Sequence, residues 1–80
     1  HDTRWRMAEA ALQAAFPEGA VRASAVDLAC HQGWFSHRLR EFGFGSVHGI
    51  DARQNHVDDA RLVTSAMGVE HVAFSRGDVH

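Results

Sequence analysis

Three aspartates stand at comparable places along the chain. They occur in Asp27-Leu28-Ala29-Cys30-His31-Gln32-Gly33, in Gly49-Ile50-Asp51-Ala52-Arg53 and in Arg76-Gly77-Asp78-Val79. Each follows a short, mostly apolar run and sits beside small or turn-forming residues. A carboxylate in that position can accept hydrogen bonds from the hydroxyls of a nucleoside-type ligand. Small residues let the backbone approach such a ligand, and a helix N-terminus close by supplies amide donors. Asp51 lies 18 residues after Gly33, the usual interval between such a turn and a ribose-binding acid. Asp27 lies inside an apolar segment, where a carboxylate needs partners. Cys30 is the single cysteine and reads as a small buried thiol. The seven histidines fall at 1, 31, 37, 48, 56, 71 and 80, too scattered for the spacing of a metal cage, so no metal site is expected.

The elements that must position these acids alternate in type. Trp5, Ala8, Ala11, Leu12, Ala15 and Phe16 form a helical stripe, predicting a helix from about Arg4 to Phe16, stopped by Pro17 and Gly19. Ala25–Cys30 is short and mostly apolar and predicts a buried strand. Phe35, Leu39 and Phe42 at i, i+4 and i+7 predict a second helix with Gly43 as its C-cap. Ser46–Ile50 predicts a second strand ending at Asp51, Gln54–Met67 a third helix capped by Gly68, and Val69–Ser75 a third strand. This order predicts parallel strands joined by right-handed crossovers, with ligands beyond their carboxyl ends.

With these three strand-end motifs in order, residues 20–80 resemble the class I S-adenosylmethionine-dependent methyltransferases. The glycine-rich first motif of that family corresponds to Asp27-Leu28-Ala29-Cys30-His31-Gln32-Gly33-Trp34-Phe35-Ser36, with Ala29 and His31 at two of its glycine positions. The resemblance implies an α/β, Rossmann-like three-layer fold in which strands 3-2-1 are the first part of a seven-stranded sheet. It implies S-adenosylmethionine as cofactor. The turn from Ala29 through Cys30 and His31 to Gly33 would pass under its methionine and ribose, and Asp51 would accept both ribose hydroxyls. Ala52 and Arg53 would pack near the adenine, Asp78 would take the adenine amino group, and the Val79 backbone would face the ring. Asp27 would hold the turn or, through water, the cofactor's amino group. The resemblance assigns no catalytic base. It implies that the chain is the N-terminal half of such a domain, with residues 1–19 a leading helix and turn and residues 20–80 the cofactor-binding part, inactive alone. Strand one would then be an edge, and self-association through it is expected.

Composition narrows the partners. Eighty residues that are 45% hydrophobic and 22% charged describe a globular chain of one domain at most. Eight arginines against ten acids, net charge −2, form no basic stripe, so a small-molecule acceptor is favoured over nucleic acid. No apolar run is long enough to cross a bilayer, and one cysteine fits a reducing cytoplasm. Two alternatives stay open. A nicotinamide-dinucleotide oxidoreductase also places an acid after strand two, although its fingerprint wants glycines where Ala29 and His31 stand. A degenerate, non-catalytic methyltransferase-like module that binds a partner protein is kept open by His31.

Overall fold

The computed structural model describes residues 2–28, Cys30 and residues 33–77. Its elements are α1 (Asp2–Ala15), β1 (Ser24–Leu28), α2 (Trp34–Phe42), β2 (Ser46–Asp51), α3 (Gln54–Met67) and β3 (Val72–Arg76). The strands are all parallel and lie in the order β1-β2-β3, the arrangement the alternating pattern predicts. In register, Val26 meets His48 and His48 meets Ala73, while Leu28 meets Ile50 and Ile50 meets Ser75.

The element ends follow local chemistry. α1 stops at Ala15 because Phe16 precedes Pro17, whose ring disfavours helical backbone in the residue before it; the Phe16 amide still donates to the Leu12 carbonyl. α3 ends on Gly68, left-handed at φ 69°, whose amide reaches the Ser65 and Thr64 carbonyls. β3 begins three residues later than the sequence pattern predicts. The Val69 amide is still bonded to Thr64, and His71 takes a positive φ of 63°, so Val69–His71 form the turn into the strand.

The helices lie on one face of the sheet. Val47 packs with Ala20, Leu39 and Phe44, and Trp5, Leu12, Phe16, Ala25, Phe35 and Val72 close around them. Trp5 meets the edge of Phe35 at 5.2 Å and Phe16 that of Phe44 at 5.5 Å, geometries that favour aromatic pairs. A second cluster of Cys30, Val57, Ala60 and Phe74 joins α3 to β3. Between the helices, buried His37 of α2 bonds Thr64 of α3 at 2.7 Å. On the opposite face Val26 and Leu28 are 61% and 60% exposed, and no helix among the described residues covers them. Among the described residues no helix is long and apolar enough to cross a membrane.

Candidate functional site at the carboxyl edge

The carboxyl ends of β1 and β2 and the N-terminus of α2 converge. The Cys30 amide donates to the Ile50 carbonyl at 3.0 Å, tying the end of β1 to β2. The Gly77 amide donates to the Asp51 carbonyl at 3.0 Å and does the same for β3. Between β1 and α2, Gly33 closes the turn by donating to the Cys30 carbonyl at 2.9 Å. Gly33 is left-handed at φ 90° and opens α2 with no side-chain cap. A Cβ here would lie 2.9 Å from Phe74 Cζ. The position therefore requires glycine for its backbone angle and for the aromatic ring packed against it.

Asp27 is anchored to the helix after this turn. Ser36, fully buried in the first turn of α2, donates its hydroxyl to Asp27 Oδ2 at 2.6 Å, a charge-assisted bond of the short, strong kind. Ser36 has room because β2 carries a glycine opposite it: a Cβ on Gly49 would stand 2.9 Å from Ser36 Oγ and 2.6 Å from Phe74 Cδ1.

Asp51 ends the central strand and is only 4% exposed. Its Oδ1 accepts the Arg53 amide at 2.9 Å and lies 3.2 Å from Nδ1 of His56, in the first turn of α3. Arg53, in extended backbone, is the N-cap residue of α3. It and Ala52 are exposed at the rim, and the Ala52 carbonyl accepts Arg76 Nε at 3.2 Å. Cys30 is buried against Val57, Ala60 and Phe74. Burial, and then the carboxylates of Asp27 and Asp51, push its thiol up to about 11. It stays protonated at neutral pH and serves as a small apolar group of the core.

The structure thus brings together Asp27, Cys30, Gly33 and Asp51, with Ala52 and Arg53 beside them. Ala29, His31, Asp78 and Val79, the other residues marked by the sequence, lie outside the described residues. Sequence reasoning missed Ser36 and His56. The only signal for either was its place, three residues after Gly33 and five after Asp51, in the first turn of the helix each strand end feeds. Among the described residues no three of His, Cys, Asp and Glu gather closely enough to hold a metal ion. The donor set suits a nucleoside. A buried carboxylate ends the central strand, and a positive-φ glycine opens the helix that follows the neighbouring strand.

No family model and no curated protein matches the sequence. Solved structures do. The PH0226 protein from Pyrococcus horikoshii OT3 superposes with a TM-score of 0.74 at 29% identity, over 95% of this chain and 34% of that one. A chain of the Haloferax volcanii complex between the Trm112 methyltransferase activator and its candidate methyltransferase gives 0.61 at 30% identity, over 69% and 23%. The N-terminal domain of EvdMO1, crystallised in the presence of SAH and D-fucose, gives 0.69 at 24% identity, over 88% and 29%. The chain spans about a third or less of the length of these structures. In its fold it resembles the N-terminal portion of the class I S-adenosylmethionine-dependent methyltransferases.

Proposed function

We propose that this sheet edge binds S-adenosylmethionine and that the protein is a methyltransferase acting on a small-molecule acceptor. The observation that carries the reading is Asp51, a buried carboxylate at the carboxyl end of the central strand with its Oδ1 fixed by two donors. Such a group recognises a ribose diol by accepting from its hydroxyls. Gly33 allows the chain to pass close beneath the ligand, and Asp27, locked by Ser36, holds the strand end on which that turn is hung. Ala52 and Arg53, both exposed, form the rim toward the base. When bound, the cofactor supplies an electrophilic sulfonium methyl; the protein's part is to orient it toward the acceptor and exclude water. The net charge of −2 and the lack of a basic stripe support a small acceptor over a polyanion.

The test is isothermal titration of S-adenosylhomocysteine into the protein and into Asp51→Ala, with NADH as the competing ligand and a melting curve for each variant. Saturable binding of S-adenosylhomocysteine, weakened at least about tenfold in a folded Asp51→Ala, is expected. Binding of NADH in its place, or of neither ligand by a folded chain, would overturn the reading.

A further inference from the structure

We propose that Arg61 closes the β3 edge of the sheet to strand pairing, so that β1 of another copy of this chain is kept from adding there. The inference is independent of the cofactor reading.

A strand turns the main-chain groups of alternate residues to its two sides. At the ends of β3, the His71 carbonyl accepts the Val47 amide at 2.9 Å and the Gly77 amide donates to the Asp51 carbonyl at 3.0 Å. These residues face β2, and by alternation Val72, Phe74 and Arg76 turn their amides and carbonyls outward. Phe74 is the middle of the three. Its carbonyl already accepts Arg61 Nη2 at 2.7 Å and Nε at 3.2 Å. An arriving strand needs that oxygen for one of its amides and needs the space the guanidinium fills. With the centre taken, a strand of five residues keeps one outward residue on either side, less than a strand needs to pair.

Arg61 is placed for this by α3, which buries Val57, Ala60 and Thr64 and leaves Arg61 on its flank above β3. The edge beside it is otherwise accessible. A groove lined by Arg61, Thr64, Ser65, Val72, Ala73 and Phe74 runs between α3 and β3. Among the described residues no other side chain is bonded to the main chain of Val72–Arg76. The strand to be kept out is β1, which forms the opposite edge and carries exposed Val26 and Leu28. Those two share the uncovered face with Ala73 and Ser75 of β3, small residues beside which they would pack. A β1-to-β3 contact is head-to-tail and repeats without closing, whereas β1 against β1 closes at two chains.

The experiment is light scattering after size exclusion over a concentration series. It compares wild type, Arg61→Ala, and Arg61→Ala with Arg76→Pro, each first shown to be folded by its melting curve. Arg61 is exposed and alanine favours helix, so the single variant keeps its fold. Arg76→Pro removes an outward amide, a change that edge strands tolerate. Wild type is expected to go no further than two chains. Arg61→Ala should pass that limit, with an average mass at least about twofold above wild type at equal concentration, and Arg76→Pro should return it to the wild-type value. Removing an arginine from a chain of net charge −2 adds repulsion between copies, so lost charge does not account for such growth. An unchanged mass in Arg61→Ala would overturn the inference. So would growth that Arg76→Pro leaves intact, or a wild type already larger than two chains.

Discussion

Ser36 has no exposed surface, and its hydroxyl is committed to Asp27. Replacing it with alanine leaves a half-buried carboxylate short of a donor, and such losses cost about 1–3 kcal/mol. The Ser24–Ser46 hydroxyl pair at 2.8 Å is exposed, and Ser24→Ala should change stability by less than about 0.5 kcal/mol. Urea midpoints for the two variants check the contrast, and equal midpoints would remove Ser36 from the scaffold of the site. His37 makes a different prediction. Burial, opposed by Glu41 and aided by Arg38, lowers its pKa from 6.5, so the native state prefers the neutral ring that bonds Thr64. The unfolded chain binds the proton first, and stability rises with pH where it does. The contribution is complete above pH 6.5 and is lost as the pH falls below it. Urea unfolding between pH 5 and 8 should show this slope, and His37→Gln should flatten it. An unchanged slope in His37→Gln would assign the effect to other histidines.

At the scale of the elements, β2 depends on β3 through a glycine. Gly49 faces the helices at the point where Phe74 crosses, and a Cβ there would fall within 2.6–2.7 Å of the ring and 2.9 Å of Ser36 Oγ. Gly49→Ala should cost about 1–3 kcal/mol by overpacking. In a Phe74→Leu background the same substitution should cost less, because the two share one contact. Additive costs in a double-mutant cycle would show that the crowding lies elsewhere. The dependence also explains what the sequence could and could not reveal. α3 is read off to the residue because a helical stripe runs from Gln54 to Met67 and Gly68 stops it. Asp51 is legible because an acid after an apolar run marks a strand end. Ser36, Phe74 and His56 are not. A serine or histidine in the first turn of a helix looks solvated until the register of the sheet sets it against a carboxylate. Likewise Gly49 looks like a weak point in a strand until Phe74 is placed over it. The late start of β3 was hidden because Val69 is apolar enough to read as strand while its amide is still completing the end of α3.

For the molecule as a whole, the two edges of the sheet differ. At β3 the Arg61 guanidinium donates twice to the Phe74 carbonyl, at 2.7 and 3.2 Å, and so occupies part of that edge. β1 is the other edge, and Val26 and Leu28 leave an apolar strip beside it on the uncovered face. Edges of this kind pair with other chains. Self-association that grows with concentration is therefore expected in light scattering after size exclusion, and Val26→Lys with Leu28→Lys should suppress it. A monomer of wild type at high concentration would contradict this. The strand order carries one more consequence, for the way the chain acquires its shape. Every neighbour in the sheet is also the next strand in sequence, and the first pairing sets Ser24 beside Ser46, only 22 residues on. Each closure among these three strands therefore spans a short loop. On a ribosome, which delivers the N-terminal part first, the β1-α2-β2 unit emerges and can zip up before β3 has left the exit tunnel. The turn at Gly33 and the Asp27–Ser36 lock would then be in place first, and β3 would add to a template already formed.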